Sequence, residues 1–195
     1  MKIYLVSSNT RKLEDYKRRI KTADVGHLMY DFDEGRYLDI EDITRSKLQQ
    51  AKNKFSDKKH LVVEDTGFLI PALNNYPGPY VKHFLSTIGI DRLLLLMRNE
   101  SDKTAVFRTV LGYFDGEKDH FFSYDEKGFI LDKKSKSTDI KGWTEILNIY
   151  GHYPYLNKSL SELTKKEYEN YHNIIEKEDC ISKFMKLINL KFNQD

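Results

Sequence analysis

The chain has 195 residues and a formal net charge of +2, although charged residues make up 32% of it. Because the two signs nearly cancel and the basic runs are short, the composition argues against a nucleic-acid-binding protein. Cys180 is the only cysteine, which excludes an internal disulfide and a thiolate zinc cluster. No apolar run has the length of a membrane span and the N-terminus does not read as a signal peptide, so we expect a cytoplasmic protein without membrane contacts.

The first third of the chain has the pattern of alternating strands and helices. In chain order, the predicted elements are a strand at 2–8, a helix at 9–21, a strand at 27–32, a helix at 41–55 and a strand at 61–64. Asn9 or Thr10 is the expected N-cap of the first helix. The last strand is apolar and leads into two adjacent carboxylates, Glu64 and Asp65, after which Gly67 is expected to let the backbone turn away sharply.

The rest of the chain mixes helices with a long hairpin. The predicted elements are a loop at 71–80, helices at 81–89 and 90–99, strands at 104–115 and 119–132, a loop at 133–158 and helical structure at 160–191. Strict alternation of strands and helices is missing from this part. The sequence therefore predicts an α/β domain with a long antiparallel component.

The segment SSNTRK has the features of a phosphate-binding turn. It leaves a strand and enters a helix, so it combines small polar side chains with free backbone N–H groups and a lysine one turn into the helix. It comprises Ser7, Ser8, Asn9, Thr10, Arg11 and Lys12. The alternative is an ordinary capped helix with a surface lysine.

Two acidic segments are candidates for a magnesium site. Asp65 can hold the ion or activate a water molecule; the alternative is a turn made by Asp65, with Glu64 exposed. Asp39, Glu41 and Asp42 precede the helix that carries a lysine at position 47, where acidic residues also suit the helix dipole. Because magnesium needs only one or two protein carboxylates when phosphates and water complete its shell, Asp65 and one of these residues suffice.

Two further residues admit a structural or a ligand-binding interpretation. Trp143 follows Gly142 in a loop-rich stretch, and it can belong to the core or stack on a flat ligand. His172 can hydrogen-bond the edge of a base or lie on the surface of a helix.

Taken together and in this order, these segments resemble the Ham1-like inosine triphosphate pyrophosphatase family over nearly the whole chain. SSNTRKLEDY is similar to the family's N-terminal TGNxxKxxE motif. VVEDTGFLIPALNNYPGPYVKHFL is similar to its central block and is the most specific stretch, and TAVFRTVLGYFDG is similar to the strand that follows.

The resemblance implies a fold, an activity and an assembly. The expected fold is a single α/β domain over residues 1–195, with a mixed, strongly twisted sheet and two lobes around a central cleft. The expected activity is magnesium-dependent hydrolysis of ITP, dITP or XTP to the monophosphate and pyrophosphate, which cleans the nucleotide pool. The expected assembly is a homodimer.

The resemblance also implies roles for individual residues. Asp65, Lys12 and Glu41 are the expected catalytic residues, and Asp65 with Glu41 or Asp39 is expected to bind magnesium. The remaining expected substrate contacts are Ser7, Ser8, Asn9, Thr10, Arg11, Lys47, Thr66, Lys82, Lys141, Gly142, Trp143, Thr144, His172 and Asn173.

The base-binding half departs from the family pattern. Lys141 replaces a stacking Phe, Thr144 replaces a base-reading Asp, and Asn173 replaces an Arg. Because discrimination by hydrogen bonding to one edge of a base is steep, these changes indicate an altered base preference or a nucleotide-binding dimeric module with impaired catalysis. A Maf-like pyrophosphatase shares the metal chemistry but lacks the central block.

Overall fold

The computed structural model describes residues 1–135, 146–152 and 158–192, with side chains up to residue 190. The chain divides into two compact units, each assembled from separated segments. Unit 1 contains residues 1–66, 109–124 and 176–195, and unit 2 contains residues 67–108 and 125–175. The predicted placement of two lobes around a cleft stays a prediction.

A mixed sheet with the strand order β2-β1-β3-β4-β5-β6 forms the framework. The strands are β1 (Lys2–Val6), β2 (Asp24–Leu28), β3 (Leu61–Leu69), β4 (Thr104–Phe114), β5 (Asp119–Ile130) and β6 (Tyr150–His152). The helices are α1 (Thr10–Arg19), α2 (Ile40–Lys54), α3 (Val81–Thr87), α4 (Gly89–Met97), α5 (Lys165–Ile175) and α6 (Cys180–Phe192), with short 3-10 turns at Pro71–Leu73 and Leu160–Glu162. None of the helices in the described part of the chain is both long and apolar enough to cross a membrane.

Parallel pairing and a hairpin together make the sheet mixed. β1 pairs in parallel with β2, from Lys2 opposite Asp24 onward, and in parallel with β3. β4 and β5 are neighbours joined by a four-residue turn, so they run antiparallel. The turn is tight because Gly116 has a φ of +105° and the Asp115 side chain accepts hydrogen bonds from the backbone N–H groups of Glu117 and Lys118. These features confirm the predicted α/β class and hairpin.

In unit 1, alternate residues of the central strands belong to two different cores. Ile3, Leu5 and Val62 pack with residues of α1 and α6. Val6, Leu61 and Val63 pack with α2 residues such as Leu48 and Ala51. Since successive side chains of a strand point to opposite faces, α1 and α6 cover one face of this part of the sheet and α2 covers the other.

Unit 2 has its own core, which combines strand ends with the remaining helices. Phe68 and Ala105 from β3 and β4 are fully buried there, together with Phe84 of α3, Leu93 of α4 and Tyr150 of β6. Aromatic rings make much of this packing, since the rings of Phe68 and Tyr150 meet edge to face with centroids 5.8 Å apart.

The structure corrects three predicted boundaries. The strand predicted at 27–32 lies at Asp24–Leu28, because its backbone pairs with β1 in that register. β3 does not end at residue 64 but continues to Leu69, so Asp65 and Gly67 lie within the strand rather than at its end. The strand continues because both carboxylates find partners on the two faces, as described below, and because Phe68 pairs with Gly78 through two backbone hydrogen bonds of 2.9 Å. Part of the loop predicted at 133–158 forms β6, which pairs antiparallel with β5.

Candidate active site

The turn between β1 and α1 has the predicted capped geometry. The Ser7 hydroxyl accepts a hydrogen bond of 3.0 Å from the Asn9 backbone N–H, and the Asn9 side chain accepts one of 3.0 Å from the Arg11 N–H. Asn9 is therefore the N-cap of α1, one of the two predicted alternatives. Ser8, Thr10 and Arg11 are exposed, so the start of α1 is open to an anion.

Lys12 turns inward from this helix and contacts Glu64 of β3. Its ammonium lies 2.9 Å from Glu64 Oε1 and donates to the Glu64 carbonyl oxygen at 3.2 Å. The other carboxylate oxygen of Glu64 accepts a hydrogen bond of 2.8 Å from the hydroxyl of Tyr16. Only 12% of the Glu64 side chain is exposed, so the alternative in which Glu64 is exposed is wrong.

Asp65 points to the opposite face of β3 and contacts Lys47 of α2. The Lys47 ammonium lies 2.7 Å from Asp65 Oδ1 and 2.8 Å from Glu34 Oε1. The Lys47 side chain is only 7% exposed, whereas that of Glu34 is 62% exposed. A buried lysine thus joins a largely buried carboxylate, Asp65, and an exposed one, Glu34, in one cluster, which we call the Lys47 cluster.

Charge determines the protonation of the Lys47 cluster. Burial lowers the pKa of Lys47, but the charges and hydrogen bonds of Asp65 and Glu34 together outweigh burial and raise this pKa, which keeps the ammonium charged. Burial raises the pKa of Asp65 and the charge of Glu34 adds to this, while the ammonium groups of Lys47 and Lys12 oppose it. Lys12 is therefore close enough to Asp65 to act on it electrostatically.

The other two predicted magnesium ligands have local roles in α2. Asp39 is the N-cap, and its side chain accepts a hydrogen bond of 2.7 Å from the Glu41 N–H. Glu41 pairs with Arg45 one turn further along, and both side chains are about half exposed. The carboxylate that shares Lys47 with Asp65 is instead Glu34, which the sequence analysis missed.

A weak signal for Glu34 is present in the sequence. The residue lies in the segment Asp33-Glu34-Gly35, where Gly35 has a φ of +60° and its N–H donates to the Asp33 side chain at 3.1 Å. A glycine turn that presents a carboxylate before a helix is suggestive, but no spacing rule connects it with Lys47 or Asp65.

The donor set of the Lys47 cluster suits magnesium. Asp65 and Glu34 already share one cation through their oxygens, and two carboxylates are enough when phosphates and water supply the other ligands. The part of the chain that the structure describes contains no group of three or more His, Cys, Asp or Glu side chains that could hold a metal without such help. The fit is therefore to an ion that arrives with a phosphate ligand.

A comparison of the whole sequence with protein families identifies the family of this chain. The Ham1 family model matches residues 3–178. The chain belongs to the Ham1 family. This confirms the resemblance that the three motifs indicate.

Several named relatives share moderate identity with this chain. A dITP/XTP pyrophosphatase from Pyrococcus horikoshii is 28% identical over 136 residues, which cover 69% of this chain and 72% of the relative. A second one, from Saccharolobus solfataricus, is 32% identical over 119 residues, or 60% of this chain and 61% of the relative. An inosine triphosphate pyrophosphatase from Candida glabrata is 27% identical over 151 residues, or 74% of this chain and 78% of the relative.

Solved structures share the fold of this Ham1 protein. The Staphylococcus aureus Ham1 protein superposes with a TM-score of 0.76 at 21% identity, covering 96% of this chain and 99% of the other. A nucleoside-triphosphatase / dITP/XTP pyrophosphatase from Mycobacterium abscessus superposes with a TM-score of 0.69 at 20% identity, covering 89% of this chain and 95% of the other. These similarities confirm the predicted mixed α/β fold.

The remaining predicted site residues of the Ham1 protein lie in several places. Thr66 adjoins Asp65 on β3, and its hydroxyl lies 3.1 Å from that of Thr109. In unit 2, Lys82 is exposed on α3, and the His172 ring on α5 meets the Tyr168 ring at 4.4 Å with Asn173 exposed beside it. Their substrate contacts stay predictions. Lys141, Gly142, Trp143 and Thr144 lie outside the described residues.

Proposed function

We propose that this protein hydrolyses ITP, dITP or XTP to the nucleoside monophosphate and pyrophosphate. The observation that carries the proposal is the Lys47 cluster, with Lys12 within electrostatic reach of Asp65. Two lysines and two carboxylates beside an open helix N-terminus are the groups that bind a polyphosphate and its metal. The names of the relatives in the Ham1 family support this substrate class.

In the proposed reaction, water attacks the α-phosphorus and the bond to the bridging oxygen of the β-phosphate breaks. Lys12, Lys47 and the N–H groups at the start of α1 bind phosphate oxygens and neutralise the charge that develops. Asp65 orients the water and accepts its proton, since it is a buried carboxylate whose pKa is raised. The leaving group is pyrophosphate.

Magnesium is proposed as the cofactor, with Asp65 and Glu34 as its protein ligands. When bound, such an ion polarises the phosphate oxygens and offsets their charge. In this proposal Glu34 takes the role for which the sequence offered Asp39 or Glu41. Support for Glu34 comes from its oxygen at 2.8 Å from the ammonium that Asp65 also contacts.

The experiment is a pyrophosphate-release assay on the purified protein with magnesium. The substrates are ITP, dITP, XTP, dUTP and the four standard ribonucleotides. Asp65→Asn is expected to lower turnover by about 100-fold or more, because it removes the proton acceptor. Asp57→Asn is the matched control, since Asp57 is 71% exposed and pairs with Lys58 at the surface. Release of orthophosphate, or full activity of Asp65→Asn, contradicts the proposal.

The sequence of the base-binding half favours a second candidate, a family member with altered base preference or with binding but no turnover. Lys141, Thr144 and Asn173 differ in charge or hydrogen-bonding groups from the residues that the family pattern has there. A higher kcat/KM for a nucleotide with another base than for ITP, dITP or XTP supports an altered base preference. Calorimetric binding of a nucleotide without pyrophosphate release supports the binding module.

The assembly and location are proposed from the family resemblance. We propose a homodimer, which light scattering on the purified protein tests directly. A cytoplasmic location follows from the proposed action on the nucleotide pool, and imaging of the tagged full chain tests it.

A further inference from the structure

Glu64 is a largely buried carboxylate at the candidate site for which the proposed chemistry has no direct use. It lies next to Asp65 on β3, but it points to the face covered by α1 rather than to the face of the Lys47 cluster. A buried carboxylate is costly unless it is paired and hydrogen-bonded. Both of its oxygens are in fact used, which indicates a specific role.

The two contacts of Glu64 come from a single helix face. Lys12 and Tyr16 are four residues apart on α1, so their side chains lie one above the other. Glu64 Oε1 lies 2.9 Å from the Lys12 ammonium, and Oε2 accepts the Tyr16 hydroxyl at 2.8 Å. The carboxylate is thereby fixed in orientation between a partly exposed lysine and a fully buried tyrosine.

Tyr16 is suited to anchor this arrangement. Its side chain is only 1% exposed, in the core that α1 and α6 form with the sheet. Burial, with the nearby charge of Glu64, raises its pKa well above the ordinary value, so its hydroxyl keeps the proton that it donates. The phenol is therefore a hydrogen-bond donor to one oxygen of Glu64.

Lys12 remains able to bind a further ligand. An ammonium has three N–H donors, of which one is directed at the Glu64 carboxylate and one at its carbonyl oxygen. The Lys12 side chain is 28% exposed, so its third donor can reach a phosphate oxygen. A lysine whose ammonium already has two contacts loses less side-chain entropy on binding a phosphate oxygen than a freely moving lysine does.

We propose that Tyr16 and Glu64 are positioning residues that hold the Lys12 ammonium for the phosphate tail of the substrate. The inference rests on the proposed function only for the identity of the substrate. Glu64 orients Lys12, and Tyr16 orients Glu64; neither touches the reacting atoms.

The test is a double-mutant cycle between Tyr16→Phe and Lys12→Met. Tyr16→Phe removes one hydroxyl and is expected to lower kcat/KM about tenfold, the effect of losing a hydrogen bond to a charged group. In the Lys12→Met protein the same change is expected to have an effect of less than about twofold, because the group that it positions is gone. Tyr16→Phe is also expected to raise the inhibition constant of pyrophosphate by a similar factor and to leave the preference among bases unchanged.

Tyr113→Phe is the matched control. Tyr113 is also fully buried in the same core, and its hydroxyl lies 2.8 Å from His60 Nδ1 rather than at Glu64. It is expected to change kcat/KM by less than about twofold. Glu64→Gln, whose amide oxygen still accepts the Tyr16 hydroxyl, serves as a second variant if Tyr16→Phe does not fold, and it is expected to lower kcat/KM as well.

Several outcomes overturn the inference. Equal effects of Tyr16→Phe with and without Lys12 show that its role is structural. Tighter phosphate binding by Glu64→Gln shows that Glu64 withholds Lys12 instead of positioning it. If the wild-type protein releases no pyrophosphate from any nucleotide, the proposed function fails, and the same cycle is measured by calorimetry with a triphosphate bridged by an α,β-methylene group. Absence of coupling, or of any binding, in that measurement overturns the inference too.

Discussion

Replacing Glu126 by Gln is expected to make unit 2 less sensitive to pH. Glu126 lies on β5, and its Oε1 accepts a hydrogen bond of 2.6 Å from the hydroxyl of Tyr171 on α5. The Tyr150 hydroxyl of β6 donates to the Glu126 backbone carbonyl at 3.1 Å. Burial raises the pKa of the carboxyl from 4.5 to about 7, although the hydrogen bonds of Tyr171 and Tyr150 oppose this.

The size and sign of the effect follow from this pKa. Because the folded protein holds the Glu126 proton more tightly than the unfolded chain, the stabilising contribution is complete below about pH 4.5 and is lost as the pH rises through about 7. Each pKa unit corresponds to about 1.4 kcal/mol, so the loss is roughly 3 kcal/mol. In Glu126→Gln the side chain carries no charge at any pH, while its amide oxygen still accepts the Tyr171 hydroxyl.

The assay is urea unfolding, followed by circular dichroism at pH 5 and at pH 8. The free energy of unfolding of Glu126→Gln minus that of the wild type is expected to be higher at pH 8 than at pH 5 by about 2.5 kcal/mol, because part of the contribution is already lost at pH 5. Glu169→Gln is the control, since Glu169 is exposed on α5. The unfolding free energy of this variant minus that of the wild type is expected to be the same at pH 5 and at pH 8. A constant difference for Glu126→Gln as well refutes the reasoning, because the carboxyl is then ionised in the folded protein at both pH values.

Three further predictions concern the Lys47 cluster and the packing of unit 2. Glu34→Gln is expected to raise the magnesium concentration for half-maximal activity at least about tenfold, whereas Glu41→Gln, at the surface, leaves it unchanged; a magnesium titration of both variants decides. Lys47→Met is expected to destabilise the protein by about 2 kcal/mol, because it leaves the buried Asp65 unpaired, and added magnesium is expected to restore part of this in thermal unfolding. Gly128→Ala is expected to destabilise by about 2 kcal/mol or more in urea unfolding, because the added methyl meets the backbone of β6 and a tyrosine ring.

The features that the sequence predicts well are those with local causes. Asn9 caps α1 because its side chain accepts a hydrogen bond from the Arg11 N–H two residues later, and the hairpin turn depends on Asp115 and Gly116, which are adjacent in the chain. The family can also be identified from the sequence, because each Ham1 motif is a contiguous stretch of residues. Such signals can be interpreted without knowledge of what packs against them.

The features that the sequence analysis missed depend on contacts between distant segments. β3 was expected to end at residue 64, with Gly67 turning the backbone away after the two carboxylates. The strand continues because Glu64 is paired with Lys12, which is 52 residues away in the chain, and Asp65 is paired with Lys47, which is 18 residues away. Glu34 was missed for the same reason, since its partner Lys47 is identified by the fold and not by a spacing rule.

Two acidic residues at adjacent positions on a strand point to opposite faces of the sheet. Because their side chains alternate, Glu64 requires a cation from α1 and Asp65 requires one from α2. The pair therefore needs a helix on each face of the sheet, which is what the two cores of unit 1 provide. A slip of β3 by one residue would exchange the two faces and place each carboxylate beside the wrong lysine, so the register of this strand determines the chemistry of the site as well as the packing of its core.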